Sequence, residues 1–262
     1  MIQAQLSSLV DIFQIYANIT LGLWIFSRYS QVRFAIVLLG MPATSNYFQT
    51  ISKLFKDGRT KLYPKNQLIQ YQGDPLSHIH MVKEGYIKAY TILESGDTRT
   101  ILILGPGDIF PLAFSASMDW DNYQIRYFYQ TLCDTEVVSV SSDTLRQSIE
   151  GDADLMAGYM EYLSASNQAI MGQLEVMKNK KAIDKVAMLL PYLISKAGKQ
   201  VRPGVYELQL KLSHQELADL SGVTRETTTT LVKELEKSGV IDQKKNHWLI
   251  NIKKLETLST VG

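Results

Sequence analysis

Cysteine is nearly absent: Cys133 stands alone among 262 residues. A single thiol excludes a disulfide within the chain and any iron–sulfur cluster held by four cysteines of one chain, and it fits a reducing compartment. By itself Cys133 reads as a small buried hydrophobe. Net charge is lacking too, with 27 Lys and Arg against 26 Asp and Glu. The balance is uneven, however. From Lys181 onward 13 basic residues face 9 acidic ones, about +4, leaving about −3 for the rest. A mildly basic C-terminal third suggests a polyanion partner, although a solvated mixed surface gives the same count. The sequence also lacks any Ser/His/Asp, Cys/His or metal-ligand arrangement at workable spacing, so neither an enzyme nor a metal site is expected. His214 and His247 are accounted for by a helix start and a hairpin.

Long hydrophobic runs are confined to the start. "IFQIYANITLGLWIFS", residues 12 to 27, has no charged residue, and "FAIVLLGM" comes after Arg28 and Arg33. The uncharged run is short of the roughly 20 residues of a membrane span. It also lacks the basic start and small-residue cleavage site of a signal peptide. Three readings stay open for residues 1–40: a membrane anchor, an extra packed helix, or an upstream extension with Met41 as the working start. Composition shifts at "MPATSNYF", and the chain beyond it reads as an ordinary soluble protein.

Residues 65 to 140 are strand-like. "NQLIQY", "HIHMV", "YIKAYTIL", "TRTILIL", "YFYQTL" and "TEVVSV" are rich in β-branched and aromatic residues, with turn signals "QGDP", "KEG", "ESGD" and "GPGD" between them. Short strands at this spacing predict an antiparallel barrel or jelly roll. From Ser142 the period changes. "SSDTLRQSI" reads as a short capped helix. Ala153, Met156, Met160, Leu163, Asn167, Ile170, Leu174 and Met177 then recur at alternating spacings of three and four, a heptad seam. A helix packed on its own domain gives such a stripe, but the seam is narrow, and Asn167 is the kind of residue that pairs with its symmetry mate. A parallel homodimer helix is expected. "KAIDKVAMLLPYLISKAG" begins another helix, and Pro191, within or beside it, implies a break or kink. "VYELQLKL" reads as a strand, and "VIDQKKNHWLIN" as a two-stranded wing.

Between these last two lies the most informative stretch, "LSHQELADLSGVTRETTTTLVKELEKSGVI". Ser213 and Glu216 have capping-box spacing, Gly222 ends one helix, and Arg225 to Lys237 forms the next. At 100° per residue Thr228, Leu231, Val232 and Leu235 share one face. The opposite face carries Arg225, Glu226, Thr229, Thr230 and Lys233. Four threonines in a row are poor helix formers, so a merely solvated face explains them badly. Arg can grip guanine O6 and N7, Glu can accept from a cytosine amino group, and threonine offers a hydroxyl and a methyl. Thr224 and Thr227 have the positions of an N-cap and a first-turn phosphate contact.

That segment resembles the winged helix-turn-helix of the Crp/Fnr family of bacterial transcription regulators, whose turn and recognition helix typically read G-x-[ST]-R-E-T. Gly222, Thr224, Arg225, Glu226 and Thr227 match without gaps, and strands, long helix and helix-turn-helix come in the family's order over roughly residues 45–262. The resemblance implies an α+β chain: a cyclic-nucleotide-binding-like jelly-roll sensor domain over 41–150, a dimerisation helix over 151–181 and a winged helix-turn-helix over 182–262. It implies a cytoplasmic homodimer on two-fold symmetric double-stranded DNA, with RNA polymerase as a further partner and a membrane only if 1–40 is an anchor. Arg225 and Glu226 would contact bases, with Thr229 and Thr230 beside them. Ser213, His214, Gln215, Thr224, Thr227 and Lys233 would meet phosphates. Many members carry a second arginine where this chain has Thr230, which leaves the reading of one base open.

In the sensor domain the resemblance weakens. Cyclic-nucleotide-binding members carry a cassette resembling "GD-F-x-G-E-L", in which glutamate holds the ribose hydroxyl and a later arginine with Ser or Thr neutralises the phosphate. This chain reads "GDIFPLAF". Gly107 and Asp108 match, and Arg126 lies near the expected arginine, so these three are the candidate effector pocket. Pro111 and Leu112 replace the functional Gly and Glu, and Tyr127 comes after the arginine, which argues against cyclic AMP. His78, His80 and Met81 admit haem, but alternating histidines on one strand read more simply as barrel residues. The effector is unidentified. The alternative reading is a cyclic-nucleotide-binding regulatory protein whose C-terminal helices bind protein instead of DNA.

Overall fold

The computed structural model describes residues 46–111, 122–177, 181–244 and 247–258. The apolar run 1–40, Met41 and Leu112 lie outside these residues. A first helix, α1 (Asn46–Leu54), leads into β1 (Arg59–Tyr63), β2 (Leu68–Gln70), β3 (His78–Glu84), β4 (Ile87–Ile92), β5 (Thr98–Leu104), β6 (Ile109–Phe110), β7 (Phe128–Thr131) and β8 (Thr135–Ser141). These strands pair antiparallel in two four-stranded sheets, β1-β8-β3-β6 and β2-β7-β4-β5, the expected jelly roll. The "ESGD" hairpin closes as Gly96, at φ 86°, lets the Leu93 amide donate to the Asp97 carbonyl at 2.8 Å.

Strand alternation explains why the first sheet is covered on both sides. Val82, Phe110 and Val137 join Ile87, Ala89, Leu102 and Tyr129 of the second sheet in one core. Ile79, Met81, Val138 and Val140 instead pack with Ile51, Leu54 and Phe55 around α1 and with two later helices. Those are α2 (Ser142–Gly151), capped where the Ser141 hydroxyl accepts from the Thr144 amide at 3.1 Å, and the long α3 (Ala153–Met177). Gly158 brings α3 against α1, where any β-carbon would strike Thr50. Further along α3 the buried Tyr162 hydroxyl accepts from the Ile109 amide at 2.8 Å, and burial pushes its pKa far up.

The C-terminal part runs α4 (Ala182–Ala197), β9 (Gly198–Arg202), β10 (Val205–Leu208), α5 (His214–Ser221), α6 (Arg225–Lys237), β11 (Ile241–Lys244), β12 (His247–Asn251) and α7 (Ile252–Leu258). Its sheet is ordered β11-β12-β10-β9. Two expectations need correction here. Of the break or kink expected at Pro191, the break is absent, since Pro191 sits inside an uninterrupted α4. It removes one helical hydrogen bond, yet Leu189, Leu190, Tyr192 and Leu193 around it are fully or almost fully buried, and tertiary packing holds the helix. The strand expected over "VYELQLKL" ends at Leu208 and pairs with β9, a strand that composition did not reveal.

The two parts touch closely. Ile103 and Leu132 of the barrel complete the C-terminal core, and the Tyr192 hydroxyl accepts from the Ile103 amide at 2.8 Å. Burial raises that tyrosine's pKa to about 12. At the tip of β5 the Thr98 hydroxyl donates to Asp219 of α5 at 2.9 Å. Among the described residues no helix is long and apolar enough to cross a membrane.

Candidate nucleic-acid interface

Both helices of the C-terminal pair are started by side chains. Ser213 caps α5, its hydroxyl accepting from the Glu216 amide at 3.2 Å while the Glu216 carboxylate accepts from the Ser213 amide. Gly222 then turns the chain at φ 66° and donates its amide to the Ala218 carbonyl at 2.9 Å. That left-handed backbone suits glycine, and a β-carbon here would also strike the Arg99 guanidinium from β5. Thr224 caps α6, its hydroxyl accepting from the Thr227 amide at 3.3 Å and donating to the Thr227 hydroxyl at 2.9 Å.

On α6 the inward face is Thr228, Leu231, Val232 and Leu235, all buried, and Arg225, Glu226, Thr227, Thr230 and Lys233 are exposed. The first turn therefore presents a guanidinium, a carboxylate and helix-end amides side by side, a surface that can meet both base edges and phosphates. The threonine hydroxyls are more committed than their residue type suggests. Thr229 donates to the Arg225 carbonyl at 2.9 Å, and Thr230 to the Glu226 carbonyl at 3.1 Å. Their protons are thus used within the helix, which leaves acceptor lone pairs and methyls to offer.

The phosphate candidates on α5 are likewise engaged. The His214 ring nitrogen Nδ1 lies 3.0 Å from the Thr229 hydroxyl, and its ring meets Trp248 of the wing edge-on at 6.4 Å. Gln215 donates to Asp219 at 2.7 Å. Sequence reasoning missed the contacts from His214 to Thr229 and Trp248, because they join separate elements.

The seam residues divide. Met156, Met160 and Asn167 are exposed on α3, whereas Leu163 and Ile170 are half-buried against the chain's own barrel. Met171 lies on the exposed stripe instead. Leu174 and Met177 belong to α3, but their side chains lie outside the described residues. Gly107 supplies a turn at φ 88°, and Arg126 is exposed. Asp108 accepts from the Gly105 amide at 2.8 Å and pairs with Lys196 of α4 at 2.8 Å. Its carboxylate joins the barrel to the C-terminal part. Among the described residues no group of three or more His, Cys, Asp or Glu could hold a metal ion.

Residues 60–152 match the cyclic nucleotide-binding domain, and residues 184–261 match the Crp-like helix-turn-helix domain. The global nitrogen regulator of Nostoc sp. is 23% identical over 219 residues, 80% of this chain and 96% of that protein. The regulatory protein HlyX of Actinobacillus pleuropneumoniae is 26% identical over 195 residues, 74% of this chain and 78% of its own. Among solved structures, FixK2 from Bradyrhizobium japonicum shares the fold at a TM-score of 0.64 and 19% identity, covering 77% of this chain and 96% of that one. The helix-turn-helix match disfavours the alternative in which the C-terminal helices bind protein.

Proposed function

The chain belongs to the Crp/Fnr family of transcription regulators, and we propose that it reads a two-fold symmetric DNA site as a homodimer, one α6 of each protomer entering the major groove. It is a DNA-binding regulator and not an enzyme. The observation that carries the reading is the split of α6 into a fully internal face and an exposed face headed by Arg225 and Glu226. Arg225 grips a guanine through two hydrogen bonds, and Glu226 accepts from a cytosine amino group. Thr229 and Thr230 bring methyls and acceptor oxygens to the next base pair, where thymine methyls and amino groups suit them. Ser213, Thr224, Thr227 and Lys233 hold phosphates, joined by His214 and Gln215 once their present hydrogen bonds are exchanged.

The stripe on α3 supports the dimer. Met156, Met160 and Met171 are 38%, 58% and 63% exposed, apolar side chains on one edge of the helix that a second copy of α3 would cover, with Asn167 between them setting register. Half-sites then lie about one turn of DNA, ~34 Å, apart. The contacts from β5 to α5 and the turn before α6 give the barrel a route to the setting of the recognition helices. RNA polymerase is the further partner we assign, and the cytoplasm the compartment, because the DNA is there.

Selection from random duplex DNA by the full chain at near-physiological salt tests this, with a two-fold symmetric site as the expected result. Arg225→Ala should then cost about 1–3 kcal/mol on that site and relax one base position. An equal loss on every sequence would make Arg225 a phosphate contact, and a site without symmetry would remove the dimer.

A further inference from the structure

A second polar surface lies away from the DNA-reading face, on the first sheet of the barrel. It is a groove of about 620 Å³ between the end of α1, the sheet edge at β1 and the start of α2. Its lining includes four cations, Lys53, Lys56, Arg59 and Lys61, against one carboxylate, Asp57. Asp57 is itself 3.8 Å from Lys56, so most of the positive charge is uncompensated within the groove. None of Gly107, Asp108 or Arg126 belongs to it, so it is distinct from the position where the family resemblance places a cyclic nucleotide.

The floor is built for hydrogen bonding. Strand register sets Arg59 opposite Ser139, and Ser139 opposite His80, which makes one polar row across three strands. His80 Nδ1 lies 2.6 Å from the Ser139 hydroxyl, and its ring stacks on Phe110 at 4.8 Å. Burial, with a smaller contribution from His78, holds its pKa down at about 3, so the ring is a neutral partner at working pH. On the far wall the Ser141 and Thr144 hydroxyls, 2.7 Å apart, line the groove at the first turn of α2, where the positive end of the helix dipole favours an anion. Cations, hydroxyls and a helix start around one concavity are the donor set that a phosphate group requires.

We propose that this groove binds a small phosphorylated metabolite and is the site through which an effector acts on the protein. Its two helical walls, α1 and α2, both pack on α3 through Ile51, Leu54, Leu145, Ile149, Tyr159 and Tyr162. A phosphate drawn between Lys53 or Arg59 on one side and Thr144 on the other therefore bears directly on the helix proposed to join two protomers. The effector role rests on the regulatory reading above; the binding itself does not.

Calorimetric titration of the full chain with inorganic pyrophosphate in about 0.1 M salt, without DNA, tests the site. Saturable binding is expected, weakened roughly tenfold or more in the double variant Arg59→Gln/Lys61→Gln, where charged hydrogen bonds are lost from exposed positions. Lys53→Gln/Lys56→Gln provides a second pair should the first unfold, which thermal melts report. Arg225→Ala should bind pyrophosphate as the unaltered chain does. The proposal is overturned by absent binding, by equal binding in the groove variants, or by loss in Arg225→Ala, which would move the anion to α6. Tighter competitive binding of an acidic decapeptide would assign the groove to a protein partner instead. Each of these outcomes leaves the reading of DNA by α6 untouched, just as an unsuccessful DNA selection leaves this one.

Discussion

The central helix α3 and the recognition helix α6 both carry an apolar stripe at helical spacing, but only α6 closes its stripe within one chain. Thr228, Leu231, Val232 and Leu235 are buried against α4, α5 and the wing. On α3 the tyrosines 159 and 162 turn inward, while Met156, Met160 and Met171 stay in the open. Periodicity tells which residues share a face; it does not tell what covers that face. Chemistry separates the two cases. The exposed stripe of α3 is flexible methionine with one asparagine, which suits an adaptable contact, whereas the branched side chains of α6 suit a fixed core.

The largest effect that breaks this comparison is Leu235→Ala. Leu235 is 1% exposed, so a cavity should cost about 2–5 kcal/mol of stability, read from urea unfolding, with DNA binding lost in step. A change below about 1 kcal/mol would mean that α6 is not held by its own domain. Met160→Glu sharpens the other side. It places like charges across the proposed two-fold axis and should weaken dimerisation roughly tenfold to a hundredfold, measured by sedimentation, while unfolding of the monomer is unchanged. A dimer that survives this charge uses another surface.

Much of this contrast is legible in the residues alone, for physical reasons. The wheel of α6, the caps at Ser213 and Thr224 and the turn at Gly222 depend on residues three or four apart, so spacing predicts them. The jelly roll comes from alternating strands between turn signals. What eludes the sequence depends on distant partners. That Asp108 ties the barrel to α4 shows only once Lys196, remote in sequence, is found 2.8 Å away. The polar row Arg59, Ser139 and His80 exists only through the register of β1, β8 and β3. Leu163 and Ile170 fit the heptad as well as Met160 does, yet the barrel covers them and leaves Met160 open.

The smallest effect concerns the threonine run itself. Three of its four hydroxyls have partners: Thr227 with its cap, Thr229 and Thr230 with carbonyls one turn back. Thr228 is fully buried, and its hydroxyl has no hydrogen-bond partner among the described residues. A buried unpaired hydroxyl costs its desolvation, while Val keeps the branched shape and nearly the same helix propensity. Thr228→Val should therefore stabilise the chain by about 1 kcal/mol in urea unfolding and leave the selected DNA site unchanged, since position 228 faces inward. A loss of stability would show that the hydroxyl is satisfied in solution. A changed DNA site would mean that α6 rotates in its seat, and the division between its covered face and its reading face would then fail.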